Sequence, residues 1–477
     1  MAEESWHLAR LIPTSGINGA DEQERRATSA LLAVMMSVRE FGRAITTRFG
    51  APAGVVEAYV EVPFMLGEHR FFPDGLVRVT RGSRTWTALV EVKTSTNELQ
   101  STQLEAYLDI AREQGFDAVL TISNQIPAIA GTHPTAVDKR KLRRVALHHL
   151  SWTQVLTEAV MQKVHRGVAD PDQAWILGEL IRYLENPKSG AMQFDDMGPT
   201  WVAVRESIAN GTLRASDKGI AEVASRWDQL IQYLGLRLGR QLGTEVEPAL
   251  TRRELLEPAL RSQAVASGLV SRAVLDGGLR IPGAVGTVTV AADLKAGRLS
   301  CSVDVDAPRE GRALTRVNWL LRQLKAAPDN VRVDAFAQYA RGASTSELLR
   351  DARANPQLLV GDARREPRSF RLTLAGPMGT KRGQGRGSFV TSVTELLDTF
   401  YADVVETIRP WAPPRLRAIP VVPDRPPVPS ELVSTALSSQ DGATPVPAAS
   451  SPPTDASEDH DDAANSDDTR TEPASVP

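Results

Sequence analysis

The chain has 477 residues, too many for one hydrophobic core, so its length predicts two or three domains. Its single cysteine, Cys301, excludes an internal disulfide and a zinc site built from several cysteines. No apolar run is long enough to span a bilayer and residues 1–10 lack a signal-peptide core, which predicts a cytoplasmic protein with no membrane partner.

Charge is divided unevenly along the chain. Residues 440–477 contain nine Asp or Glu residues and one Arg, which gives this segment a net charge of −8. Because the whole chain carries −3, residues 1–439 carry +5. A mild positive excess of this size is expected of a protein that contacts phosphate locally, and it does not fit one that coats nucleic acid.

The hydrophobic patterns of the first 165 residues alternate between helical and strand periods. In chain order they predict a helix over 21–42, strands over 55–64, 71–80 and 84–93, a helix over 98–114 and a strand over 117–123. A tight turn at Arg81-Gly82-Ser83 joins the last two of the three consecutive strands into a hairpin. Asn97 with Gln100 offers a cap for the second helix.

Three charged residues are predicted to meet on this hairpin. Glu91 and Lys93 are two positions apart, so their side chains project from the same face of one strand, beside the partner strand that carries Asp74. Two close carboxylates repel each other, and a hard cation such as Mg²⁺ or Mn²⁺ relieves the repulsion. We therefore expect Asp74 and Glu91 to bind a metal and Lys93 to assist an attacking water. The alternative is that Pro73-Asp74-Gly75 is an ordinary turn and that Glu-x-Lys is accidental.

A third acidic residue lies on the first predicted helix. Glu24 falls on the same stripe as Leu31, Met35 and Val38, and a carboxylate on an apolar stripe needs a partner. Glu24 is therefore a candidate for a third metal ligand. The alternative is a first-turn acid that interacts favourably with the N-terminus of its own helix.

The order helix, three strands, helix, strand, together with Pro73-Asp74 and Glu91-Val92-Lys93, resembles the restriction-endonuclease-like PD-(D/E)xK nuclease superfamily. The resemblance covers about the first 165 residues. It implies an α/β fold with this common core and a catalytic set formed by the matching Asp74, Glu91 and Lys93. The acid that the first helix sometimes supplies in the superfamily would be Glu24.

One branch of the superfamily, recombination and repair nucleases, has a Gln and a Tyr one helical turn apart after the lysine. Gln103 and Tyr107 match this spacing, and residues four apart share one helix face. The resemblance thus implies that both residues help to position the site. The alternative is that Tyr107 belongs to the core and Gln103 to the surface.

A basic run follows the predicted core. It places five positive charges in six residues, namely Lys139, Arg140, Lys141, Arg143 and Arg144. This run is the best candidate for contacting a nucleic-acid backbone. Since such runs are also ordinary solvated surface, and phosphate contact requires position as well as charge, both interpretations stay open.

The remainder of the chain changes pattern twice. After a nuclease-like domain at 1–168, helical periodicity predicts a helical region over 169–275, and a switch to period two predicts an α+β domain over 276–411. Sequence rich in Pro, Ser and Asp predicts a disordered, acidic tail over 412–477. The glycine-rich loop 376–387 lacks the Gly-Lys-Ser/Thr ending of a phosphate-binding loop, so no nucleotide cofactor is expected.

These expectations lead to one preferred function and one rival function. The first is a Mg²⁺-dependent nuclease that hydrolyses phosphodiester bonds in DNA, in repair or in defence against foreign DNA. The rival is a non-catalytic regulator that binds nucleic acid or protein on a nuclease-like scaffold, because fold is a safer inference than activity. A homodimer would permit a paired double-strand cut, although no coiled-coil heptads indicate one.

Overall fold

A six-stranded mixed sheet organises the first half of the protein in this computed structural model, which describes residues 7–8, 20–361 and 365–412. The elements of this half are β1 (His7–Leu8), α1 (Ala20–Ser37), α2 (Arg39–Thr47), β2 (Val55–Val60), β3 (Phe64–Leu66), β4 (His69–Phe71), β5 (Gly75–Arg81), β6 (Arg84–Val92), α3 (Ser101–Gln114), β7 (Ala118–Ser123), β8 (Ala146–Ser151), α4 (Trp152–Val160) and α5 (Pro171–Glu185). The strands lie in the order β1-β2-β5-β6-β7-β8, while β3 and β4 form a separate hairpin. Neighbouring strands are antiparallel as far as β6, and the pairs β6-β7 and β7-β8 are parallel. The predicted mixed α/β class is confirmed.

Helices cover both faces of this sheet. Successive side chains of β6 alternate between two apolar clusters: Val90 and Val92 pack in the cluster that includes α1, α2, α4 and α5, whereas Leu89 packs in the cluster that includes α3. Strand β6 is therefore buried on both faces, as strands between two helical layers are. Polar side chains at its end must consequently find partners inside the protein.

The first predicted helix, over 21–42, is interrupted at Val38. This residue has a φ of −103° and a ψ of 94°, which is extended backbone, so α1 ends and α2 begins in a new direction. The change of direction buries Phe41 and Ile45 of α2 in the core. The apolar period runs through the break, which is why the sequence predicts one helix there.

The predicted strand over 71–80 begins only at Gly75. Phe71 instead pairs with Phe64 in the β3-β4 hairpin, which leaves the main sheet. The predicted strand over 55–64 is shortened for the same reason. An apolar, aromatic run indicates strand structure without indicating the sheet to which the strand belongs.

A seven-stranded antiparallel sheet organises the second half of the protein. The elements of this half are α6 (Trp201–Ala209), α7 (Gly219–Leu242), β9 (Glu247–Pro248), α8 (Arg252–Leu256), α9 (Pro258–Arg272), β10 (Val274–Arg280), β11 (Val288–Asp293), β12 (Arg298–Asp306), α10 (Ala313–Gln323), β13 (Arg332–Ala337), β14 (Thr345–Leu348), α11 (Leu349–Ala354), β15 (Pro367–Pro377) and α12 (Phe389–Phe400). The strands lie in the order β14-β13-β15-β12-β11-β10-β9. Cys301 in β12 is fully buried, where it packs as a small apolar side chain.

The helices between the two sheets divide between two cores. Leu177 and Leu180 of α5 belong to the core of the first sheet. Trp201 of α6 and Trp227 of α7 pack against Phe389 of α12 in the core of the second sheet, with ring centroids 4.4 and 6.1 Å from that of Phe389. The helices of this region thus complete the cores of both sheets.

Two further expectations concern the tail and the membrane. Apart from residue 412, the predicted disordered tail over 412–477 lies outside the described residues. Within the described ranges, no helix combines the length and the apolar character that crossing a bilayer requires.

Trp152 anchors the chain where β6 ends. The backbone N–H of Lys93 donates to the carbonyl of Ile122 in β7 (2.7 Å), and the Lys93 carbonyl accepts a hydrogen bond from the indole Nε1 of Trp152 (2.9 Å). Trp152 is buried at the start of α4, whose N-cap Ser151 forms a capping box with Gln154. The backbone of Lys93 is thus held on both sides.

Replacing Trp152 by Phe tests this anchor. We expect Trp152→Phe to lower the free energy of unfolding by about 1–3 kcal/mol, because it removes buried volume and leaves the Lys93 carbonyl without its donor. Urea unfolding followed by circular dichroism measures the change. Trp175→Phe is the matched control, because Trp175 is 62% exposed on α5 and should change stability by less than about 0.5 kcal/mol. Equal effects of the two substitutions would contradict the anchor.

Candidate active site at the end of strand β6

The register of the β5-β6 hairpin brings Asp74 opposite Glu91. Gly75 pairs with Val90, so the next position outward on each strand is Asp74 and Glu91. Asp74 Oδ2 also accepts a hydrogen bond of 2.8 Å from the backbone N–H of Val92. The carboxylate of Asp74 therefore lies against the last residues of β6, as the hairpin pattern predicts.

Glu91 is the most deeply buried acid of the site, with 1% of its surface exposed. Its Oε1 lies 2.7 Å from Lys93 Nζ and accepts a hydrogen bond of 2.8 Å from Gln103 Nε2. Its Oε2 is buried and has no hydrogen-bond partner. Buried carboxylate oxygens are normally paired, so this oxygen is an unsatisfied acceptor.

Glu24 reaches the same place from α1. Its Oε1 lies 3.1 Å from Lys93 Nζ, and its Oε2 accepts hydrogen bonds from Asn97 Nδ2 (2.8 Å) and from the backbone N–H of Thr94 (3.4 Å). The loop that supplies these donors turns through Ser95, whose φ of +55° lies in the left-handed region that non-glycine residues rarely adopt. Such strain is retained where the surrounding structure requires the turn.

The role that the sequence predicts for Asn97 is wrong. Helix α3 has Gln100 as its N-cap and receives no capping hydrogen bond from a side chain. The Asn97 amide instead binds Glu24, 73 positions earlier in the chain. Asn97 is thus a residue of the site that sequence reasoning missed. An Asn shortly before a helix signals a cap equally well, so only the tertiary contact reveals its role.

Gln103 and Tyr107 lie together on the α3 face that meets Glu91. Gln103 Nε2 donates to Glu91 Oε1 and also to the Tyr107 hydroxyl, at 2.8 and 2.9 Å. The Tyr107 hydroxyl donates to the carbonyl of Phe72 at 3.4 Å. Tyr107 is also buried in the apolar cluster under α3. Both interpretations of Tyr107 therefore apply together, since its ring is core and its hydroxyl lies at the site.

Burial and neighbouring negative charges raise the pKa of two acids of the site, Asp74 and Glu91. Burial raises the pKa of Asp74 well above its usual range, and the neighbouring negative charge of Glu91 raises it further. Burial likewise raises the pKa of Glu91, against the lowering effect of the Lys93 ammonium. Burial alone would lower the pKa of Lys93, but the three surrounding carboxylates outweigh it and raise that pKa.

The site carries more negative than positive charge. Three carboxylates, those of Glu24, Asp74 and Glu91, interact there with the single ammonium of Lys93, which leaves a formal charge of −2 when all four groups are ionised. A buried charge of this size is costly unless it is neutralised. A divalent cation has the compensating charge.

The donor set fits a hard divalent cation held by two carboxylates. Asp74 and Glu91 supply oxygen ligands, and Glu91 Oε2 is the buried oxygen that lacks a donor. The predicted third ligand, Glu24, already receives three donors through its two oxygens. Among the residues that the structure describes, no three His, Cys, Asp or Glu side chains are grouped so that they could hold a metal ion together. Mg²⁺ is commonly bound by only one or two carboxylates, with waters completing its shell.

The basic run lies on a different side of α3. Lys141 Nζ is 2.6 Å from Asp109 of α3, and Arg140 forms an ion pair with Asp138 at 2.7 Å. Asp109 follows Tyr107 by two positions, which turns the helix by about 200°, so the run does not converge with the acids. Lys139, Arg140, Arg143 and Arg144 of the run are exposed.

Comparisons with known proteins assign no family to the chain. No protein-family model, curated protein or solved structure matches it. The residues of the site and their geometry therefore carry the functional argument.

The raised pKa of Asp74 predicts how pH affects stability. A carboxyl whose pKa is higher in the folded state contributes its full stability below about pH 4, and this contribution is lost as the pH rises through the folded-state pKa. In buffer containing EDTA, Asp74→Asn should therefore become more stable than the parent protein as the pH rises from 4 to 8. Thermal unfolding midpoints measured across this range give the difference.

Asp138→Asn is the matched control for this experiment. Hydrogen bonds from Arg140 lower the pKa of Asp138 to about 2, so its contribution is constant above about pH 4. The midpoint difference between Asp138→Asn and the parent should stay flat from pH 5 to 8. A flat difference for Asp74→Asn as well would contradict the charge imbalance at the site.

Proposed function

We propose that this protein is a metal-dependent nuclease that hydrolyses phosphodiester bonds in DNA, with Asp74, Glu91 and Lys93 as its catalytic set. The observation that carries the proposal is the carboxylate of Glu91. It is almost fully buried, one oxygen is held by Lys93 and Gln103, and the other oxygen has no donor. Buried acids with perturbed pKa values and a specific charged partner are characteristic of functional sites.

Each residue has a task that follows from its contacts. Asp74 and Glu91 would hold the cation. The chemistry that a bound divalent cation supplies is stabilisation of negative charge on the reacting phosphate. Lys93 keeps its proton at neutral pH because its pKa is raised, so it acts as a hydrogen-bond donor that orients an attacking water or a phosphate oxygen.

The neighbouring residues position this set. Glu24 of α1, which accepts a hydrogen bond from Asn97, fixes the ammonium of Lys93, and Gln103 of α3 fixes Glu91. Groups held in this way need little reorganisation when substrate binds, which is the main source of electrostatic catalysis. In this arrangement Glu24 serves as a positioning residue.

The element order adds support to the proposal. Helix α1, strands β2, β5 and β6, helix α3 and strand β7 follow the order of the restriction-endonuclease-like core, with α2 and the β3-β4 hairpin as additions. DNA as the substrate is supported by the net charge of +5 on residues 1–439 and by the exposed cations near α3.

A second candidate is a regulator that binds nucleic acid or protein on the same scaffold without cleaving it. Two observations favour it: the Glu24 carboxylate is occupied by donors, and the described residues contain no ready group of three metal ligands. DNA binding by the purified protein without cleavage in Mg²⁺ or Mn²⁺ would support this candidate.

A cleavage assay tests the proposed nuclease directly. The purified protein should cleave linear, circular or single-stranded DNA in Mg²⁺ or Mn²⁺, and EDTA should abolish the cleavage. Asp74→Ala and Lys93→Ala should each lower the rate by about a hundredfold or more, because each removes a charge at the reacting phosphate.

Lys295→Ala is the matched control for Lys93→Ala. Lys295 is exposed in the turn between β11 and β12, so this substitution removes an ammonium group outside the site and should leave the rate unchanged. Cleavage that persists undiminished in both Asp74→Ala and Lys93→Ala would reject the assignment.

A further inference from the structure

An exposed aromatic side chain lies beside the candidate active site. Phe72 connects β4 to β5, two positions before Asp74, and 53% of its surface is exposed. The guanidinium carbon of Arg70 lies 4.8 Å from the centroid of the Phe72 ring. We call this pair, Phe72 with Arg70, the Phe72 platform.

The neighbouring residues fix the position of the platform. Phe71 pairs with the buried Phe64 across the β3-β4 hairpin, and its ring meets that of Tyr107 nearly at right angles, with centroids 6.5 Å apart. The carbonyl of Phe72 accepts the hydrogen bond from the Tyr107 hydroxyl. The backbone of the platform is thus tied to the residues that also position Glu91.

The composition of the platform matches one kind of ligand. An aromatic ring stacks on the flat face of a nucleobase, and a guanidinium group both stacks on such rings and binds phosphate. Arg70 occupies one face of the Phe72 ring, and the ring remains half exposed, so a base can take the remaining face. A nucleotide next to a reacting phosphate offers a base for the ring and a phosphate group for the guanidinium.

We infer that the Phe72 platform stacks on an unpaired nucleobase of the DNA strand whose phosphate lies at Asp74 and Glu91. Within a duplex, both faces of each base are covered by its neighbours, so a base must leave the stack to reach such a ring. The substrate class is therefore single-stranded or locally unpaired DNA. This inference rests on the proposed function for the choice of DNA as ligand.

Stacking can be measured without cleavage. A single-stranded oligonucleotide containing 2-aminopurine is titrated with the full-length protein in EDTA, and the fluorescence of the 2-aminopurine reports stacking. The parent protein and Phe72→Trp should quench this fluorescence. Phe72→Ala should bind about tenfold more weakly and quench less, because base–aromatic stacking is lost. A fully paired duplex of the same sequence should bind alike to the parent and to Phe72→Ala.

Trp175→Ala is the matched control. Trp175 is an exposed aromatic residue near the far end of α1, where Gln173 contacts the backbone of Arg39 at 3.2 Å. This end lies about 20 Å along the helix from Glu24. Trp175→Ala should therefore bind and quench as the parent protein does. Because Phe72 is exposed, Phe72→Ala should also keep the parent's unfolding midpoint.

The outcomes separate this inference from the proposed function. Equal affinity and quenching for the parent and Phe72→Ala, or no binding of single strands by the parent, would overturn the platform, whether or not the protein cleaves DNA. Quenching that depends on Phe72 in a protein that cleaves nothing would support the platform and reject the nuclease. In a protein that cleaves, an unchanged ratio of single-strand to duplex cleavage in Phe72→Ala would also overturn the platform.

Discussion

One ammonium group, that of Lys93, stands among three carboxylates at the end of β6, and the rest of the site depends on this imbalance. Lys93 contacts both Glu24 and Glu91, so a single side chain connects α1 to the central strand. Burial raises the pKa of Asp74 and of Glu91, and the negative charge of Glu91 raises that of Asp74 further. An anionic phosphate would be repelled from such a site, since like charges at close range in a protein interior interact strongly. We therefore expect cation binding and substrate binding to be coupled.

The meeting of the main charged residues could be predicted from the sequence because it depends on local geometry. The two-residue period of a strand places Glu91 and Lys93 on one face, and the short turn of the hairpin brings Asp74 beside them. The four-residue spacing of Gln103 and Tyr107 likewise places both on one face of α3, and their hydrogen bond shows the contact. These features are set by the backbone within short stretches of chain.

Other features could not be predicted because they depend on contacts between distant segments. Asn97 binds Glu24 of α1 and does not cap α3, and Lys141 of the basic run is neutralised by Asp109. Helix α1 ends before the extended residue Val38, after which α2 packs into the core, and the β3-β4 hairpin separates from a run that the pattern predicts as one strand. The periodicity of a single segment contains no information about which segment it meets. The exposure of Phe72 belongs to the same group, since it follows from that hairpin.

Calorimetric titration of the metal-free protein with Mg²⁺ and Mn²⁺ measures whether the acidic site binds a divalent cation, with Glu91→Gln as the variant. Glu91→Gln keeps the shape of the side chain and removes one negative charge, while Asp138→Asn removes a negative charge at a half-buried position outside the site as the control. We expect saturable binding of one divalent cation by the parent protein and by Asp138→Asn, and binding at least about tenfold weaker in Glu91→Gln. Equal binding by the parent and Glu91→Gln, or no saturable binding by the parent, would contradict this expectation.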